Sequence, residues 1–427
     1  MQTQILPALK ETIAGAEADT ILRQCVHCGM CNATCPTYQL LGDELDGPRG
    51  RIYLIKQVLE GKTATNKTQS HLDRCLGCRS CETTCPSGVQ YHRLLEIGRD
   101  MVEQQVGRSI VSTVKRSILK QGLSNPRLFQ LALNVGRQTK SILPKSLAQK
   151  IPDRPSAELL TSPSATHNKK VLMLAGCVQP ALAPEINAAA IRVLDACGVQ
   201  TVVVEQAGCC GAIALHLSDA ERASEQARRN IDAWWPFIAQ GVEAILMTAS
   251  GCGLMVQEYD QLLREDANYA DKAKLVSQKA LDLSQYLSGF RGRLIELYGG
   301  KIEEKITWHA PCTLQHGVKA GVVVEDLLRD LGAEVKTCGQ AHVCCGSAGT
   351  YSITQAPISL QLRDQKLSDL ERCGGDRIVS ANMACQLHLQ SGTSTPVQHW
   401  IMLIDEVLRT SNKSSDSMGI TLPETEA

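Results

Sequence analysis

The chain has 427 residues, 43% of them hydrophobic and 4% aromatic, with 44 basic side chains against 44 acidic ones. That length points to two or three domains. The balanced charge and scarce aromatics argue against a nucleic-acid-binding surface, and no apolar run approaches the ~20 residues that span a bilayer. The outlying figure is 19 cysteines.

Leu6 to Leu22 carries apolar side chains at helical spacing, which predicts a helix delivering the chain to Cys25. Eight cysteines then fall in two identical frames, Cys25-x2-Cys28-x2-Cys31-x3-Cys35-Pro36 and Cys75-x2-Cys78-x2-Cys81-x3-Cys85-Pro86. Three thiolates at two-residue gaps wrap a loop around a cubane iron-sulfur cluster, and in two-cluster ferredoxins the last cysteine of each frame ligates the other cluster. One [4Fe-4S] cluster is therefore expected on Cys25, Cys28, Cys31 and Cys85, and a second on Cys75, Cys78, Cys81 and Cys35. Four-thiolate zinc sites also use C-x2-C pairs but do not need this frame twice. With no signal peptide before Ile21, the chain is expected in the cytoplasm, where thiols persist and disulfides are rare.

After Pro48, Ile52, Ile55, Val58 and Leu59 recur at helical steps as far as Gly61. A helix between the frames implies a helical two-cluster ferredoxin domain over residues 1–106. Arg49 and Arg51 stand where they offset a cluster's negative charge or simply solvate a surface. Between Glu103 and Asp153 no residue is acidic, while Arg108, Lys115, Arg116, Lys120, Arg127, Arg137, Lys140, Lys145 and Lys150 are basic. Ile110, Val114, Ile118, Leu128, Leu131 and Val135 interleave with them, so residues 107–168 read as two basic amphipathic helices and a linker. Such helices suit an anionic membrane surface or an acidic partner, or brace the fold.

The remainder is a repeat over residues 169–300 and 301–427. Strand-like Val171–Leu174 leads to Cys177, Thr201–Glu205 to Cys209-Cys210-Gly211, and Ala244–Thr248 to Cys252; helices are predicted over Pro184–Cys197 and Asp219–Gln240 between them. From Ile306 the same order returns with Cys312, Cys344-Cys345-Gly346 and Cys385. Alternating strands and helices predict a parallel sheet in each repeat, whose strand carboxyl ends gather ligands. Cys177, Cys209, Cys210 and Cys252 are expected in one cleft and Cys312, Cys344, Cys345 and Cys385 in a second, each able to take a cluster or zinc. His216, His309 and His342 are weaker ligand candidates, and Cys197, Cys338 and Cys373 read as core. The fold class is thus α + α/β, a helical two-cluster domain followed by two α/β repeats.

A two-cluster ferredoxin followed by two such domains, each with its Cys-Cys-Gly (CCG) triplet, resembles the iron-sulfur subunits of heterodisulfide reductase, anaerobic glycerol-3-phosphate dehydrogenase and lactate-utilisation complexes. It is most similar to the glycolate oxidase subunits, through the run from Cys25 to Tyr38, Asp46-Gly47-Pro48-Arg49-Gly50-Arg51, Asn230 to Pro236, Thr248 to Gly253 and Cys344 to Tyr351. The resemblance implies an electron-transfer subunit of a glycolate (2-hydroxy acid) dehydrogenase. FAD would lie in partner subunits, a quinone would be the acceptor, and the complex would sit peripherally on the inner face of the cell membrane. No catalytic residue is expected on this chain. Heterodisulfide-reductase-like domains end in C-x2-C, but here Ala249 and Asn382 replace the first cysteine of that pair, which counts against the alternative of a thiol-disulfide reductase. A cluster-sensing regulator would need a nucleic-acid-reading element, and none is visible.

Overall fold

The computed structural model describes residues 1–142, 151–163 and 165–417, with side chains to residue 410. Lys145 and Lys150 of the basic run lie outside the described residues. Up to Gln105 the regular structure is helical. The helix expected over Leu6–Leu22 is broken into Pro7–Lys10 and Ile13–Gln24, because the Thr12 hydroxyl caps the second segment by accepting from the Gly15 N–H at 3.0 Å. Gly15 also lets the Leu9 carbonyl approach, since a Cβ there would stand 1.9 Å from that oxygen. Helices Pro48–Leu59 and Tyr91–Gln105 then enclose a core of Leu22, Ile55, Leu59 and Leu94. Gly98 permits their close approach, as a Cβ there would meet Ile55 at 2.5 Å.

The two expected amphipathic helices form over Ile110–Ser124 and Pro126–Gln138. Most of the cations meet the protein: Arg108 and Arg116 pair with Asp73 and Lys120 with Asp219, while Lys115 and Arg137 donate to the carbonyls of Ile353 and Ala181; Arg127 is exposed. Solvent instead meets Ile110, Val111, Val114, Ile118, Leu128, Leu131 and Val135, from 49% to 83% exposed. Carboxylates and carbonyls on neighbouring elements, invisible in a local charge count, hold these cations inward.

Each repeat is a four-stranded, all-parallel sheet. The first comprises β1 (Lys169–Met173), β2 (Val199–Val203), β3 (Ile245–Met247) and β4 (Ala280–Asp282), in the order β2-β1-β3-β4. The second comprises β5 (Lys305–His309), β6 (Glu334–Thr337), β7 (Arg377–Ser380) and β8 (Val397–His399), in the order β6-β5-β7-β8. Edge strands β4 and β8 were not anticipated from the sequence. The repeats exchange helices: Trp400–Ser417, which follows β8, packs on Pro184–Ala196 of the first repeat, while Leu283–Ser288, which follows β4, packs on Gly321–Asp330 of the second. One hydrophobic core therefore runs from Val171 through Leu314 to Trp400.

An ion pair locks this exchange. Asp405 is fully buried and receives Arg192 through two bonds of 2.6 and 2.7 Å, while Arg409 reaches its second oxygen at 3.0 Å. Removing one partner of such a pair leaves an uncompensated buried charge, at a cost of about 3–5 kcal/mol. Asp405→Ala is therefore expected to lower the urea midpoint of the repeats, followed by tryptophan fluorescence. All four tryptophans lie in this half, so that signal reports on it alone.

Candidate metal centres

Both ferredoxin loops curl by the same device. In the first, His27 and Gly29 take left-handed backbone angles (φ 60° and 87°); in the second, Gly77 and Arg79 do so at the same frame positions (φ 65° and 62°). Two left-handed residues flanking the middle cysteine turn successive side chains to one side, so the three sulfurs of each loop converge. Cys85 joins Cys25, Cys28 and Cys31, and Cys35 joins Cys75, Cys78 and Cys81. Burial pushes the Cys31 thiol up to about 11, and burial likewise raises Cys78 and Cys81. Enclosed soft donors of this kind are suited to exchange their protons for iron. Around Cys75 stand two further donors to sulfur, the Gly77 N–H at 3.5 Å and the Tyr91 hydroxyl at 3.7 Å.

An arginine accompanies each loop. Arg49, one-third exposed, lies so close to the first loop that a Cβ on Gly29 would meet its guanidinium at 2.6 Å. Arg51 is fully buried beside Cys35 and Cys75, where it donates to the His71 carbonyl at 2.7 Å and to Thr37 at 3.2 Å. Its one carboxylate, Asp46 at 3.5 Å, is shared with Arg74 and His71. The arrangement leaves positive charge over, which fits a cluster of net negative charge. Gly50 closes the hub, because a Cβ there would strike the Glu44 carbonyl at 2.2 Å.

In the repeats the cysteines follow the carboxyl ends of three neighbouring strands. Cys177, Cys209, Cys210 and Cys252 form one contiguous group. Bonds from the Cys177 and Cys210 thiols hold Cys209 low, while thiol contact pushes those two up. Cys312, Cys344, Cys345 and Cys385 form the second group, with Cys312 Sγ 3.8 Å from Cys344 Sγ. Each group offers four soft donors without a histidine. His309 is buried against Ser380 Oγ at 3.0 Å and burial lowers it to about 3; His216, lowered by burial to about 4, faces Arg99, Arg79 and Glu258; His342 offers its carbonyl to His316.

Three details were not legible in the sequence. Cys338 and Cys373, read as core, do pack in one apolar cluster but with their Cα atoms only 6.3 Å apart, and Cys197 stays a half-buried thiol. Where related domains carry a fifth cysteine, Asn382 caps the helix Met383–Gln390 and donates to Ser250 Oγ at 3.2 Å, and Ser250 meets Thr313 at 2.7 Å. That position serves the seam between repeats. Finally, Cys78 packs in one apolar cluster with Cys312, Cys344 and Tyr351, and the Tyr351 hydroxyl donates to the Arg74 carbonyl at 3.0 Å, so the second ferredoxin loop abuts the second repeat.

Comparison with known proteins agrees with this architecture. Residues 21–89 match the 4Fe-4S dicluster domain, and residues 171–257 and 306–390 each match the cysteine-rich domain of the CCG type. The glycolate oxidase iron-sulfur subunit of Escherichia coli (strain K12) is 50% identical over 96% of this chain and 99% of its own. A probable glycolate oxidase iron-sulfur subunit of Bacillus subtilis (strain 168) is 32% identical over 87% and 89%. Lactate utilization protein A of Bacillus pumilus is 26% identical over 56% of this chain and 98% of its own. Among solved structures, a hypothetical protein from Helicobacter pylori shares the fold, with a TM-score of 0.54 at 10% identity over 92% of this chain and 72% of that one. Identity at this level, sustained across nearly the full length of both chains and joined to matches for the cluster-binding and both cysteine-rich domains, places the chain in the family of glycolate oxidase iron-sulfur subunits.

Proposed function

We propose that this iron-sulfur subunit of a glycolate oxidase complex takes electrons from FAD on partner subunits and relays them singly toward a quinone. The interleaving of the loops carries this reading: each three-cysteine loop is completed by the last cysteine of the other, as two cubanes in series require. On this reading Cys25, Cys28, Cys31 and Cys85 hold one [4Fe-4S] cluster and Cys35, Cys75, Cys78 and Cys81 the other. The hydride leaves the 2-hydroxy acid on the flavoprotein, because flavin accepts two electrons together while a cubane accepts one. This chain's residues bind and insulate the clusters and set their charge, with Arg49 at the first and Arg51 at the second. The thiol quartets of the repeats are further metal sites, for a cluster or a zinc ion.

A bilayer-dissolved acceptor also requires the complex to reach the membrane, from the cytoplasmic side. Among the described residues no helix is long and apolar enough to cross a membrane. The exposed aliphatic faces of Ile110–Ser124 and Pro126–Gln138 support shallow burial in the interface instead. Because Arg116, Lys120, Lys115 and Arg137 are engaged by neighbouring elements while Arg127 is exposed, that attachment rests on apolar contact more than on charge.

In the assembled complex, Cys28→Ser is expected to leave flavin reduction by glycolate intact, followed by absorbance, while reduction of an external quinone or dye falls to background. Loss of flavin reduction itself would reverse the division of roles. Anaerobically purified chain is expected to hold about eight irons in the ferredoxin loops, with additional iron or zinc lost selectively in a Cys210→Ser, Cys385→Ser double variant. Eight irons and no zinc would empty the repeats. On vesicles, retention is expected on neutral phosphatidylcholine, insensitive to salt and abolished by Ile118→Glu with Leu131→Glu. Binding confined to anionic vesicles and released by salt would assign the attachment to charge.

A further inference from the structure

The two ferredoxin loops share one frame but not one environment. At the position after the first cysteine, the second loop carries Leu76, 9% exposed, and the first carries Val26, 69% exposed. Leu76 is received by the second repeat, where it packs with Cys344, Tyr351 and Leu362. The cysteines that follow differ in the same way. Cys78 is enclosed beside Cys312, whereas Cys28 is the one exposed cysteine among the eight of the two frames. A folded surface of this same chain thus covers the second loop, and among the described residues the first has no such cover.

The uncovered loop is apolar where it is most open. Val26 and Met30, the latter 52% exposed, stand two residues to either side of Cys28. Tyr53, 46% exposed on the helix Pro48–Leu59, extends the face, its ring edge-on to that of His27 with centroids 6.3 Å apart. Arg49, set against Gly29 and paired with Glu44 at 2.6 Å, supplies a polar margin. Methionine, tyrosine and aliphatic side chains inside a polar margin have the composition of a protein–protein contact, and clustered exposure of this kind marks such sites.

Resting on the relay reading above, we infer that the face of Val26, Met30 and Tyr53 docks the flavin-bearing partner subunit. Two arguments choose that occupant. The second frame shows what the position after the first cysteine takes, namely the folded surface of a protein into which the loop's own apolar residue fits. Electron transfer also weakens steeply with distance, so a donor on another polypeptide must seat against a cluster loop that reaches the surface. The loop of Cys28 does so, and that of Cys78 does not. The second loop has other neighbours besides the repeat, since Arg116 lines one small cavity together with Cys75 and Gly77. Docking at Val26 gives the first loop the enclosure that the second already has.

The test measures assembly and not turnover. The full chain is affinity-tagged and co-expressed with its partner subunits, and FAD and iron are quantified per tagged chain after purification. Val26→Glu with Met30→Glu is expected to lower the co-purified FAD about tenfold, because a charge is costly at the centre of an apolar contact. Tyr53→Glu, outside the cysteine frame, is expected to lower it about fivefold. Iron is expected at the wild-type level in both, and Ile118→Glu with Leu131→Glu is expected to keep its FAD. Full FAD in both variants of the face, with iron unchanged, would overturn the docking and leave the relay standing. Should the loop variant lose iron, Tyr53→Glu decides alone: lost FAD supports the inference and full FAD overturns it. FAD lost only from the Ile118 and Leu131 variant would move the subunit contact to that hairpin and overturn the inference. Variants of the face that keep FAD but leave phosphatidylcholine vesicles would make it a membrane contact and overturn it equally. A wild-type chain that brings down its partners without FAD would overturn the relay reading itself.

Discussion

The interaction on which the ferredoxin half depends is a buried ionic hub short of negative charge. Arg51 has no contact with solvent, and the single carboxylate of Asp46 answers to it, to Arg74 and to His71. Withdrawing a cation from water costs several kcal/mol, and one shared carboxylate offsets little of that. The sulfurs of Cys35 and Cys75 beside it complete the balance once they are thiolates around iron, so this half of the fold is stabilised by the group it carries. The hub also positions the chain on either side. The Asp46 carbonyl accepts from Thr37, next to Cys35 and Pro36, while Arg74 precedes Cys75 and offers its carbonyl to Tyr351 of the second repeat. One group of charges thus sets the entry of both loops and the contact with the neighbouring repeat.

The repeats obey a different constraint. Parallel strands release their chain at one edge of the sheet, so a cysteine placed after each of three adjacent strands must meet its counterparts there. Register enforces it: β1 pairs with β2 and β3, and β5 with β6 and β7, which seats the three cysteine-bearing turns side by side. The fifth position follows the seam instead. With Asn382 bonded to Ser250 and Ser250 to Thr313, that edge of each sheet is tied to the other repeat, and a thiol at 382 would break the tie.

This explains what could be read in advance. The cysteine frames and the strand-to-cysteine order are local patterns, and they located the thiol groups; strand β1, Lys169–Met173, overlaps the expected Val171–Leu174. Edge strands β4 and β8 escaped notice because they span three residues each and Ala280–Asp282 contains no β-branched side chain. The break at Thr12 depended on a cap competing with an otherwise continuous apolar stripe. The direction of the basic helices, the closeness of Cys338 to Cys373 and the Arg79–Glu258 pair all depend on residues distant in sequence, or on a partner from another element. No periodicity or motif encodes them.

Sequence symmetry does not carry over into symmetry of position. The two cysteine quartets have matching spacings, yet Cys78 of the second loop packs against Cys312 and Cys344 and has no such contact with the first quartet among the described residues. The first quartet meets the amphipathic hairpin instead, where Ser124 approaches Cys209. An electron tunnels by distance and not by homology, so copies of one motif set at different separations from the same loop cannot be equivalent partners for it. The quartet of Cys312, Cys344, Cys345 and Cys385 is the one that packs against the second loop. The other lies nearer the exposed aliphatic helices, so the spacing of the cysteines is shared while the packing of Leu76, Cys78 and Tyr351 assigns the neighbours.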